Sequence, residues 1–171
     1  PEQAGFAGLA QGVGENGGLP YLQPGPDTGL AFPEDLGPHP RHRIEWWYLT
    51  ANLETESGEP LGLQWTQFRQ ALVPREPGSA PEPETWSLEA AWMAHAAVSW
   101  QGNHVFAERL ARGDVGNAGA EARPFSVWLD HWQLEAVADD RWRLQVQAED
   151  FGYDLTLTLH DQPVAHGISG F

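Results

Sequence analysis

The 171-residue chain contains no cysteine and no lysine, and each gap excludes something. Without cysteine there is no disulfide and no thiolate metal site, and the redox compartment stays open. Without lysine all nine basic residues are arginines, which reflects genome composition more readily than function. Positive charge is scarce overall: 24 acidic residues against nine basic ones leave a net charge of −15. Phosphate backbones demand a cationic surface and anionic bilayers favour one, so no nucleic-acid partner and no docking on a membrane surface are expected. Long apolar runs are missing too. None approaches the ~20 residues that span a bilayer, so direct membrane insertion is not expected. Residues 1–30 show no basic start followed by an apolar stretch, the pattern of a secretory leader; with Pro1 first, a leader already removed is compatible with the sequence.

Tryptophan, by contrast, is abundant: nine residues, two of them adjacent in Ile44-Glu45-Trp46-Trp47-Tyr48-Leu49-Thr50. The length fits one domain, which buries roughly 70% of its unfolded surface and so holds a core without staples. A domain this small hides only some of nine indoles, each wanting a partner for its N–H. The rest are expected to line a concave, partly wet surface, such as a pocket for an apolar ligand.

Residues 1–43 carry Gly17-Gly18, Pro24-Gly25-Pro26 and Phe32-Pro33-Glu34-Asp35, the punctuation of an irregular arm. Apolar residues such as Phe6, Leu22 and Phe32 suit an arm that packs on the body. From residue 44 the pattern alternates with period two. Ile44 to Glu54 reads as a strand with Trp47, Leu49, Ala51 and Leu53 on one face and Trp46, Tyr48, Thr50 and Asn52 on the other. Leu61 to Leu72 reads as its partner, with Leu63, Trp65, Gln67 and Arg69 on one side and Gln64, Thr66 and Phe68 on the other. Val73 to Thr85 holds four prolines and cannot lie within a sheet, so it is a loop, either a lid or a decoration. Trp86 to Trp100 has alanines that suit a helix, yet every even position is apolar, and alternation that long favours a strand. His104 to Ala111 is a shorter strand, and Gly113 to Pro124 is loop-like. Phe125 to Val137, Arg141 to Glu149 and Phe151 to His160 are three further alternating segments. About seven strands with short links and no convincing helix predict an all-β antiparallel meander, closed as an up-and-down barrel or half-barrel over 44–171.

Three stretches are not generic: Phe32-Pro33-Glu34-Asp35-Leu36-Gly37-Pro38-His39-Pro40, Glu45-Trp46-Trp47-Tyr48, and Gln64-Trp65-Thr66-Gln67-Phe68-Arg69. Together with Gly5-Phe6-Ala7-Gly8-Leu9 and Met93-Ala94-His95-Ala96-Ala97-Val98-Ser99, they resemble the AttH and CrtC family of lipocalin-like proteins. That family includes carotenoid 1,2-hydratases and predicted secreted hydrolases. The resemblance covers essentially the whole chain and implies a lipocalin-like fold. It also implies a first β domain whose partner is a second lipocalin-like domain or, failing that, self-association. A periplasmic or secreted location follows from the same resemblance, with the cytoplasm as the alternative.

The expected ligand is a small apolar or isoprenoid-like molecule, with no cofactor. Cofactor-free hydration needs a group that protonates an alkene. Glu45 beside Trp46 and Trp47 is the candidate, since aromatic walls disfavour a carboxylate and the rings stabilise a cation. The alternative for Glu45 is a buried structural ion pair with Arg43 or Arg69. Trp46, Trp47, Tyr48 and Trp65 are the candidate aromatic lining. Gln64, Gln67 and Arg69 either orient a polar ligand group or satisfy loop carbonyls, and His95 is either a ligand contact or a hydrogen-bonded core histidine. No metal site is expected: His39 and His42 stand three apart, and no HExxH or His-x-His pattern occurs. No Gly-x-Ser-x-Gly elbow supports hydrolysis. The rival function is a non-catalytic secreted or periplasmic carrier, or a carbohydrate-binding module using indoles as stacking platforms.

Overall fold

The computed structural model describes residues 21–23, 25, 29–72, 90–112, 116–161 and 164. Its only helical element among them is a 3-10 turn, η1 (Glu34–Leu36). Nine strands follow: β1 (Ile44–Glu54), β2 (Pro60–Ala71), β3 (Ala90–Trp100), β4 (Asn103–Arg112), β5 (Ala118–Ala122), β6 (Phe125–Leu129), β7 (Trp132–Ala138), β8 (Arg141–Gln147) and β9 (Gly152–Thr158). They form two antiparallel sheets in chain order, β1-β2-β3-β4 (sheet A) and β5-β6-β7-β8-β9 (sheet B). The sheets do not close into one barrel, so the half-barrel alternative describes this all-β fold. Among the described residues no helix is long and apolar enough to cross a membrane.

Alternation becomes structure through the connections. Gln101 and Gly102 both take positive φ between the paired residues Trp100 and Asn103, the two-residue hairpin turn whose twist matches that of the flanking strands. One face of each sheet then meets the other. Trp65, Trp92, Ala94 and Ala96 of sheet A pack with Val127, Leu129, Trp132, Leu134, Leu144 and Val146 of sheet B in one buried cluster. Polar groups tie the layers together: Gln67 Nε2 donates to the Trp128 carbonyl at 2.8 Å, and the Tyr153 hydroxyl to the Gln64 carbonyl at 2.9 Å. The Arg109 guanidinium lies 5.5 Å over the Trp132 ring.

Two expectations need correction. The stretch Gly113 to Pro124, read as loop, contains strand β5. Its sequence, Ala-Gly-Ala-Glu-Ala, has no β-branched residue, and what makes it a strand is close approach. A side chain at Gly119 would sit 2.5 Å from Trp128 of the neighbouring strand β6. Phe125 to Val137, read as one segment, is two strands joined at Asp130-His131, with Asp130 at φ 52. Buried positions switch there from odd (Phe125, Val127, Leu129) to even (Trp132, Leu134). Of the other expectations, the Pro-rich loop, residues 1–20 of the arm and 86–89 of the third strand lie outside the described residues.

Candidate functional site

Strand parity divides the nine candidate residues into two groups. Register aligns Trp46 with Phe68, Phe68 with Met93, and Met93 with Leu110, so these four share a face across all of sheet A. The next row is Tyr48, Thr66, His95 and Glu108, and the one after it Thr50, Gln64, Ala97 and Phe106. This is the outer face: Trp46 is 54% exposed, Tyr48 67%, Phe106 68% and Leu110 72%. It holds Trp46, Tyr48, Gln64 and His95. The other five, Glu45, Trp47, Trp65, Gln67 and Arg69, have the opposite parity and turn toward sheet B and the arm.

Glu45 is the hub of the inward group. Its Oε1 lies 2.5 Å from His39 Nδ1, and the His39 backbone N–H donates to both carboxylate oxygens at 2.9 and 3.0 Å. Arg69 Nε donates to Oε2 at 3.2 Å, so the ion pair forms with Arg69. The Arg69 Nη2 also donates to the carbonyls of His39 (2.8 Å) and His42 (3.0 Å), which ties residues 39–42 to β2. The His39 ring reaches on to Asp35 Oδ1 at 3.1 Å, bridging η1 and β1. Burial works against the charged imidazolium of His39, but hydrogen bonds and charge from Asp35 and Glu45 outweigh it and raise the pKa. Asp35 is held below the usual carboxylate range, first by the Ala31 N–H and then by His39.

The remaining inward residues serve packing. Trp47 donates its indole N–H to the Leu36 carbonyl at 2.8 Å and stacks on Trp92 at 6.0 Å. Trp65 is fully buried in the core, and its indole N–H and the Gln67 Oε1 have no hydrogen-bond partner among the described residues. Interior atoms of this kind are costly.

On the outer face the chemistry is apolar with a polar seam. Trp46 and Phe68 rings stand 6.1 Å apart at 45°, and His95 Nε2 pairs with Glu108 Oε1 at 3.2 Å. Sequence reading missed Phe68, Met93, Leu110, Phe106 and Glu108, although their alternate spacing is visible. What it lacked was the register that places them side by side. Asp35 and His39 were also missed, because nothing local signals that a residue of the arm will meet Glu45.

Two cavities among the described residues lie elsewhere. One of about 520 Å³ sits between η1 and sheet B, lined by Leu36, Phe125, Val137, Trp142 and neighbours. Another of about 480 Å³ lies along β8 and β9, around Gln145, Tyr153 and Asp154. None of the nine candidates lines either. Among the described residues no group of three or more His, Asp or Glu side chains is placed to hold a metal ion.

Comparison with known proteins matches this fold and these residues to one family. No curated protein matches the chain. Among solved structures, a candidate AttH from Nitrosomonas europaea is 35% identical, with a TM-score of 0.67. The match covers 85% of this chain and 42% of that one, so the chain spans less than half the length of this relative. The AttH-like family profile matches residues 23–171, from the arm through both sheets. The chain belongs to the AttH-like family.

Proposed function

We propose that the chain binds an apolar, isoprenoid-like small molecule on the outer face of sheet A, with the facing wall supplied by a second β domain or a second copy. The carrying observation is the row Trp46, Phe68, Met93 and Leu110, which runs across four strands, with exposed Tyr48 in the next row and Phe106 one row beyond. Contiguous apolar surface of this kind marks an interaction site, because water-exposed aromatic area gains free energy when covered. Tyr48, Gln64 and the His95–Glu108 pair then orient the polar end of the ligand. Cofactor-free hydration is the finer version of this reading. Glu45 faces away from the row and is engaged by Arg69 and His39, geometry that supports a scaffold carboxylate more than a proton donor to this face.

The test is titration of all-trans-retinol against the chain, read by retinol fluorescence anisotropy. Saturable binding is expected, weakened about tenfold, equivalent to ~1.4 kcal/mol, by Trp46→Ala or Leu110→Ser. Absence of saturation, or variants that bind as wild type does, would overturn the proposal. Displacement by cellohexaose would favour the carbohydrate-binding rival. Recovery of bound ligand separates carrier from hydratase: unchanged ligand means a carrier, and a hydrated product lost in Glu45→Gln would place Glu45 in catalysis.

A further inference from the structure

The cavity between η1 and sheet B has a chemistry of its own. Phe125 and Trp142 form its aromatic floor, with ring centroids 4.8 Å apart at 38°, and Leu36 and Val137 are among its walls. Two charged residues line it, Arg123 and Asp139. Arg123 is ion-paired with Glu34 of η1, so its charge is matched locally. The Asp139 carboxylate has no ion pair or hydrogen bond among the described residues. A register shift between Ala136 and Ala138 explains how it comes to line the cavity. The extra residue, Val137, bends the β7–β8 hairpin, and bends of this kind re-aim the residues that follow.

We propose that this cavity is a binding site for a small hydrophobic ammonium ion, of the aryl-alkyl quaternary amine class. Three features select that class. About 520 Å³ falls in the range of small-molecule sites. Electron-rich ring faces attract a cation, and a quaternary ammonium, weakly hydrated, loses little on leaving water. One unmatched carboxylate at an apolar wall supplies the counter-charge. A neutral apolar ligand would gain nothing from Asp139, and an anion would be repelled by it. The net charge of −15 adds long-range attraction for cations.

Benzyltrimethylammonium is the probe, and the neutral benzyl alcohol its control. Calorimetric titration of the whole chain should give saturable binding of the ammonium, at least about tenfold tighter than the alcohol. The indole resonance of Trp142 should shift on binding. Asp139→Asn, at an exposed turn, should lower the affinity by about the same factor with the urea midpoint unchanged, and Trp142→Leu should lower it as well. Trp46→Ala, on sheet A, should leave it unchanged. No binding of the ammonium, equal affinity for the alcohol, or undiminished binding in Asp139→Asn would each overturn the proposal. None of these outcomes bears on retinol binding at sheet A.

Discussion

Trp46 and Trp47 are adjacent and chemically identical, yet period two sends one to solvent and the other into contact with Trp92 and the Leu36 carbonyl. Alanine at position 46 should therefore change stability by no more than about 0.5 kcal/mol, whereas alanine at the half-buried position 47 should cost about 1–3 kcal/mol. Urea denaturation of the two variants reads the contrast directly. Arg69 is the stricter case. It is buried, and methionine in its place would take the arginine from Glu45, which keeps its His39 contacts, and leave two carbonyls without their donor, so a loss of about 2–4 kcal/mol is expected. Gly37 carries a different constraint. A Cβ there would lie 2.7 Å from the Ala122 backbone, which cannot rotate away, so Gly37→Ala should destabilise by about 1–3 kcal/mol. At this scale the sequence revealed which side chains alternate and that Glu45 had an arginine partner available. It did not reveal His39, because a contact between arm and strand leaves no periodic trace.

Among the elements, the arm is fastened to the sheets by the Asp35–His39–Glu45–Arg69 chain. The charged groups around the His39 ring are Asp35 from η1, Glu45 from β1 and Arg69 from β2, with the His42 ring at 5.9 Å. Because its folded pKa is raised, His39 contributes stability that is complete below its unfolded value of about 6.5 and is lost as pH rises through the folded value. Asp35, whose folded pKa is lowered, contributes above its unfolded value of about 3.9 and loses that contribution as pH falls through the folded one. The fastening is strongest between about pH 4 and 6.5. The gap in urea midpoint between wild type and His39→Phe should accordingly be wider at pH 5.5 than at pH 8.5; an equal gap would remove His39 from the fastening. Strands with long alternation, β1 to β4 and β9, were legible in the sequence, with boundaries close to those found wherever the described residues reach them. Strand β5 was not, since alanine and glycine carry no strand signal and its pairing depends on Trp128 lying over Gly119. Nor was the β6–β7 hairpin, because Asp130-His131 lacks the glycine that usually announces such a turn.

For the molecule as a whole, two meanders leave one face of sheet A turned away from sheet B while the space between the sheets is filled by Trp65, Trp92 and Trp132. Composition signalled the excess of tryptophan, and the fold sorts it: part seals the core and part stays in water. The exposed Trp46, Tyr48, Phe106 and Leu110 should drive the chain to associate, so sedimentation velocity should show a concentration-dependent shift that Leu110→Glu abolishes. A monodisperse monomer at high concentration, with no binding of an apolar dye, would count against that face as an interface. The nine indole resonances offer the most direct measurement of the central claim, that ligand meets the outer face of sheet A. On adding retinol, the Trp46 indole is predicted to shift while Trp65, Trp92 and Trp132 keep their positions. Movement of the three core indoles with Trp46 unmoved would contradict it.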